Sequence, residues 1–162
     1  MFKLTSPGFK DGDRLPEEQT FNGFGLSGPN ISPALEWSGV PEGTKSFAVT
    51  CYDPDAPTGS GWWHWVAYDI PASTTSLAKG AGDTSGKSLP AGALHGRTDF
   101  STKGYGGAAP PEGDKPHRYI FTVHALTVEK LEVPDDASAA LIGFMIHFNN
   151  VGKAQLTGMY GR

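Results

Sequence analysis

The sequence predicts a mainly β fold, an antiparallel β-sandwich with a few short flanking helices. Three observations carry that reading. Several short runs alternate between apolar and polar residues at period two. The 22 glycines and 13 prolines in 162 residues supply many turns, with no repeat or low-complexity tract. One stretch near the C-terminal end has helical spacing and a start signal.

The elements follow in order. Phe2 to Leu4 and Leu35 to Trp37 are weak strand candidates. In Ser46–Tyr52, residues Phe47, Val49 and Cys51 alternate toward one face. Trp65 to Ile70 is aromatic and β-branched, and Pro71 stops it. Strand signals are weak from Pro71 to Pro116, where aromatic and basic residues interleave with glycines; ordered loops that build a site are expected there. Tyr119 to Leu126 is the strongest strand, with Tyr119, Phe121, Val123 and Ala125 on one side and His124 on the other. Pro134-Asp135-Asp136-Ala137-Ser138 reads as an acidic helix start, and Leu141, Phe144, Met145 and Phe148 follow at helical spacing, which predicts a helix from Ala137 to His147. Gln155 to Tyr160 is a last, weaker strand.

The length suits one domain, residues 1–162. Hydrophobic residues are 38% and charged residues 19%, too little charge for a disordered chain. The net charge of −4 and the scattered basic residues argue against a nucleic-acid partner or a polybasic membrane patch. The single cysteine, Cys51, excludes an internal disulfide and reads as a core thiol. Met1 to Lys10 has no apolar signal region, and no run approaches the ~18 apolar residues of a membrane span. A soluble, cytoplasmic protein is the expectation.

Three segments concentrate unusual residues at strand ends. Asp53-Pro54-Asp55-Ala56-Pro57 is a stiff polar turn, because proline fixes φ and constrains the residue before it. A cis peptide is expected there, at Ala56–Pro57. Trp62-Trp63-His64-Trp65 places a histidine among tryptophans that must be largely buried. Gly104-Tyr105-Gly106-Gly107, Pro110-Pro111 and Pro116-His117-Arg118-Tyr119 combine a backbone-accessible loop with donors at the head of the strongest strand. If these ends meet, Asp53, Asp55, His64 and His117 share one aromatic-walled cleft, the anatomy of a small-ligand site. Other motifs fail. Gly23-Phe24-Gly25-Leu26-Ser27-Gly28 fits a dinucleotide pattern, but Pro29 and Pro33 forbid the helix it needs. There is no hydrolase elbow, no P-loop and no HExxH pair. No cofactor or metal is expected, and Asn30-Ile31-Ser32 is read as an idle glycosylation sequon.

At these residues the chain resembles the phosphatidylethanolamine-binding protein family, also called Raf kinase inhibitor proteins. The likeness runs through Asp53–Pro57, His64 with Asp69-Ile70-Pro71, Gly106-Gly107 to Tyr119, Asn30–Trp37 and Leu156–Tyr160, and so covers essentially the whole chain. Gly61–Trp65 and Gly96–Phe100 resemble the bacterial cytoplasmic branch. The resemblance implies a β-sandwich and a pocket for phosphate, phosphorylated head groups or similar anions. By motif position, Asp53, Asp55, Pro57, His64, Pro111, His117 and Tyr119 would line or support it, with Gly106 and Gly107 at the rim. Trp63 stands where many eukaryotic members have a second histidine, and the chain ends soon after Tyr160, so neither a kinase-regulating role nor a covering C-terminal helix is implied. A homodimer and an unidentified protein partner are compatible with the family. The expectation is therefore a binding protein and not an enzyme, in which His64 and His117, held by Asp53 or Asp55, act as cationic donors. The alternative is a hydrolase using an Asp–His pair to activate water.

Overall fold

Three long strands form the middle of the molecule because each has an apolar face that packs into the core. The computed structural model describes residues 1–162. In chain order the elements are β1 (Lys3–Thr5), a 3-10 turn (Glu17–Gln19), β2 (Leu35–Ser38), β3 (Ser46–Asp53), β4 (Trp62–Pro71), β5 (Ser76–Leu77), β6 (Leu94–His95), β7 (His117–Leu126), α1 (Ala139–Asn149) and β8 (Asn150–Tyr160). A five-stranded antiparallel sheet has the order β6-β4-β3-β7-β8, and a three-stranded one the order β1-β2-β5.

One face of the large sheet, with Phe47, Val49, Cys51, Trp65 and Phe121, packs against Leu4, Leu35 and Trp37 of the small sheet. The other face, with Ala48, Val66, Tyr68 and Leu126, is covered by α1 and the segment around Leu131. Both alternating sets of β3 are therefore buried, which is why Ser46–Asp53 is enclosed almost throughout. Cys51 lies in the first core, and burial pushes its thiol up, as befits an unreactive core residue.

Two bulges interrupt the β3–β4 ladder. Cys51 faces Trp65 and Tyr52 faces Trp63, so His64 is an extra residue on β4. Phe47 faces Ile70 and Val49 faces Ala67, which puts another extra residue near Asp69. Asp69 has φ +56°, and its Oδ1 accepts the Leu131 N–H at 2.9 Å.

Several expectations need correction. The helix begins at Ala139, because the Ser138 hydroxyl, and not the acids before it, caps the chain by accepting the Leu141 N–H at 3.1 Å. Its buried residues are Ala139, Ile142 and Ile146, while Leu141, Phe144 and Phe148 are 38%, 59% and 66% exposed. α1 is apolar all round, so spacing alone does not select the face that meets the sheet. β8 starts at Asn150, well before Gln155, because it is an outer strand whose exposed polar positions mask the alternation. Every peptide bond is trans, including Ala56–Pro57. The turn closes instead through hydrogen bonds: Asp53 Oδ1 accepts the Asp55 N–H at 2.8 Å, and the Ala56 carbonyl accepts the Thr58 N–H at 2.7 Å. No helix is long and apolar enough to cross a membrane.

Two histidines belong to the framework. Trp65 Nε1 donates to His95 Nε2 at 3.1 Å, and His124 Nε2 lies 3.0 Å from Thr50 Oγ1. Burial pulls both imidazoles down to about 4.

The helix assignment predicts that Ile142→Ala costs about 2–5 kcal/mol of unfolding free energy in urea, whereas Phe144→Ser stays within about 0.5 kcal/mol of wild type. The histidines predict acid sensitivity. An unfolded imidazole titrates near 6.5, so the unfolded chain binds more protons below that value, and the stabilisation drains as pH falls from about 6.5 toward 4. His124→Gln removes one such group. Its loss of stability between pH 7 and pH 5 should be smaller than that of wild type by about 1–2 kcal/mol, read from denaturation curves at the two pH values.

Candidate functional site

At one end of the large sheet, core-facing positions continue beyond the hydrophobic core. Asp53 ends β3 and stands opposite Trp62 on β4. On β7, His117 and Tyr119 share the face of Phe121 by alternation. The bulge adds His64 to the same place. The chain thus spends its last inward positions on polar and aromatic residues, and a pocket of ≈ 150 Å³ opens there. Its walls are Asp53, Ala56, Pro57, Thr58, Trp62, His64, Phe100, Ala109, Pro110, Pro111, His117 and Tyr119, with Phe24 at the mouth.

Asp53 and His117 form the charged element. His117 Nδ1 lies 2.7 Å from Asp53 Oδ2, and both side chains are almost fully buried. The other ring nitrogen, Nε2, lies 3.0 Å from the half-exposed Asp114 carboxylate. Burial pulls the imidazole down, but its hydrogen bonds to two carboxylates outweigh that and raise its pKa above the ordinary value. Burial raises the Asp53 carboxyl as well, against the pull of the His117 hydrogen bond; because both ring nitrogens face carboxylate oxygens, the geometry favours a doubly protonated imidazole whose two N–H groups are already engaged.

His64 differs. Its Nδ1 lies 2.8 Å from the Gly106 carbonyl, and no carboxylate touches it. Burial lowers it to about 4, against the pull of the glycine carbonyls. The expectation that an acid charges His64 is therefore corrected: the sheet end gives it a carbonyl instead, and the ring is neutral. It packs edge-on to Phe100 and Tyr119, with centroids at 5.5 and 5.1 Å. Two polar atoms of the wall residues, Trp62 Nε1 and Tyr119 Oη, are buried without a protein hydrogen-bond partner.

Asp55, Gly106 and Gly107 are placed differently from the expected lining. Asp55 points away from the pocket, holding Arg118 through Nε and Nη2 at 2.9 and 2.8 Å and accepting the Arg118 N–H. This guanidinium lowers Asp55 to about 2. Gly106 and Gly107 are buried supports and not a rim. The Gly106 N–H donates to the His64 carbonyl at 2.8 Å, which ties the loop to the bulge. A side chain on Gly106 would strike the Phe100 ring, and one on Gly107 would strike the Gln19 and Thr20 backbone. Asp53, Pro57, His64, Pro111, His117 and Tyr119 do meet in one pocket.

Sequence reasoning missed several contributors. Trp62 and Phe100 were visible only as members of larger segments, yet both are wall residues. Asn30, read as an idle sequon, is a clamp whose Oδ1 accepts the Gly107 N–H at 2.7 Å. Arg162 ties the mouth together, donating to the Pro110 and Phe24 carbonyls at 2.7 and 3.0 Å. No local pattern announces these long-range contacts. No group of three or more histidine, cysteine or acidic side chains is arranged to hold a metal ion.

The family model for phosphatidylethanolamine-binding protein matches residues 5–161. The chain is 55% identical to the UPF0098 protein YbcL of Escherichia coli (strain K12) over 159 residues, which cover 98% of this chain and 87% of that one. It is 56% identical to the UPF0098 protein YbhB of the same organism over 159 residues, covering 98% and 99%. Its fold is similar to the crystal structure of E. coli YbcL, described as a new member of the mammalian PEBP family, with a TM-score of 0.97, 54% identity and coverage of 99% and 98%. It is also similar to that of a phosphatidylethanolamine-binding protein homolog, CT736 of Chlamydia trachomatis, with a TM-score of 0.81, 28% identity and coverage of 99% and 97%.

Proposed function

Because the chain belongs to the phosphatidylethanolamine-binding protein family, we propose that it is a binding protein whose pocket takes a small phosphate-type anion or a phosphorylated head group and releases it unchanged. The observation that carries this reading is the pair of unpartnered polar atoms, Trp62 Nε1 and Tyr119 Oη, in the wall of a concave, largely aromatic pocket. A buried donor without a partner is costly; neither atom has surface open to the pocket in the structure, and a small shift of the wall around a bound oxyanion would satisfy both. The Asp53–His117 pair in the wall adds no net charge, and the His117 N–H groups serve Asp53 and Asp114. Family membership supports the same chemistry. Regulation of a partner protein, which the family resemblance also suggests, is not needed for the pocket to work.

The Asp53–His117 pair is the feature that favours hydrolysis. Binding is the better reading because a general base needs a free nitrogen to take a proton from water. His117 has none: one nitrogen faces Asp53 and the other Asp114. Neutral His64 keeps Nε2 free, but its Nδ1 lies against a carbonyl, and no carboxylate is in contact to stabilise the imidazolium that proton abstraction would create.

Tyr119→Phe is the cleanest test, because the hydroxyl it deletes makes no hydrogen bond within the protein. It should leave stability within about 0.5 kcal/mol. Calorimetric titration with methyl phosphate should show affinity falling roughly tenfold or more, the ordinary loss for a hydrogen bond to a charged group. His117→Ala and Asp53→Ala should also weaken binding, whereas His124→Gln, on the far face of β7, should not. Unchanged binding by Tyr119→Phe and His117→Ala together would place the ligand elsewhere.

A further inference from the structure

We propose that the pocket selects oxyanions that still carry a proton, such as phosphomonoesters in their singly protonated form, and rejects isosteric oxyanions that have none, with His64 Nε2 making the choice. This rests on the anion reading above and specifies its ligand.

The argument starts at the bulge. His64 Nδ1 is 2.8 Å from the Gly106 carbonyl oxygen. A carbonyl oxygen only accepts, so Nδ1 carries the ring's hydrogen. The imidazole is 4% exposed, sits between the edges of Phe100 and Tyr119, and touches no carboxylate. Such an environment disfavours a second proton, in keeping with the lowered pKa of this group. Nε2 therefore offers a lone pair. No protein donor uses it, and His64 lines the pocket.

The other charged and titratable groups around the ring do not change this. Asp53 on β3 has its oxygens taken by the Asp55 N–H and by His117. His117 on β7 is a cation that further discourages a charge on His64. Tyr119 on β7 is held neutral, since burial raises its pKa. Asp99, from the loop beside β4, accepts the Trp63 N–H.

The polar groups of the wall that no protein group uses are thus the acceptor nitrogen of His64 and, closed off until the wall shifts, the indole N–H of Trp62 and the hydroxyl of Tyr119. No lysine or arginine lines the pocket. With no strong cation free, matching of donors to acceptors decides what fits. A singly protonated phosphomonoester brings two acceptor oxygens and one P–OH donor, which matches this set. A sulfate ester has the same shape and charge but no donor, and a phosphodiester has the same charge with an alkyl group where the donor stood; either would set lone pair against lone pair at His64. Sites built to satisfy a particular polar group reject analogues that lack it far more sharply than apolar pockets reject a missing methylene. On this basis the phosphate comes from a soluble monoester and not from an intact phospholipid, whose phosphate is a diester.

The test is calorimetric titration of the wild-type protein at pH 6, near the second pKa of a phosphomonoester, with methyl phosphate, dimethyl phosphate and methyl sulfate. Methyl phosphate should bind at least about tenfold tighter than either of the others. In His64→Gln, whose amide presents an N–H as readily as a carbonyl, the gap between methyl phosphate and methyl sulfate should shrink to about threefold or less. Methyl sulfate binding to wild type as tightly as methyl phosphate, or a gap that survives in a folded His64→Gln, overturns the proposal. The 15N shifts of His64 in the free protein give a readout that needs no variant: a neutral ring protonated at Nδ1 is expected, and a doubly protonated ring overturns it. Binding of none of the three ligands sinks the anion reading itself, whereas tight binding of all three sinks only the selectivity.

Discussion

β3 is paired along both edges and buried on both faces, and the rest of the molecule is arranged around that constraint. A strand so enclosed leaves no place for an unsatisfied polar group except where it runs out. It runs out at Asp53. The three-stranded sheet covers one face and α1 the other, and β4 and β7 must remain in register with β3 for both cores to form. The pocket is the place where this enclosure ends, and the segments of residues 96–111 cover the outer edge of β4 beside it. Their backbone supplies what the ladder lacks: the Gly96 N–H reaches Val66, the Asp99 N–H reaches Trp63, and the Gly106 N–H reaches His64.

The same logic settles the pocket's electrostatics. An anion site with acids in its neighbourhood looks contradictory in the sequence, but the acids are already committed. Asp55 holds Arg118 outside the pocket, and Asp53 and Asp114 share His117. What faces the pocket is close to neutral, with one aromatic surface shared by Trp62, Phe100 and Tyr119. His64 and His117 are equivalent in a sequence pattern and opposite in the fold. One lies against a carbonyl and loses its charge; the other lies between two carboxylates and keeps it.

Much of this was legible before the fold was known. Alternation located β3, β4 and β7, because each carries bulky residues at period two on the face that meets the core. The pocket's location followed from the polar, glycine and proline residues that gather where those strands end. The helix was legible as an element but not in its orientation, since α1 is apolar on every side and only contact with Ala48 and Val66 chooses Ile142 and Ile146. The bulge at His64 was hidden, because a one-residue register shift leaves no trace in composition. Asn30, Asp114 and Arg162 were hidden for another reason. Their roles depend on which carbonyl, amide or imidazole lies beside them, and the partners of Asn30 and Arg162 are remote in sequence.

The walls of the pocket are the ends of β3, β4 and β7, the strands that also hold the two cores together. Occupancy of the pocket and global unfolding are thus competing equilibria on one structure. A ligand present at a hundred times its dissociation constant adds about 2.7 kcal/mol to the folded state by mass action alone, provided the unfolded chain does not bind it. Melting temperature therefore becomes a gauge of occupancy, and an unlabelled collection of metabolites can be ranked against this pocket by how far each delays the unfolding of the sheet.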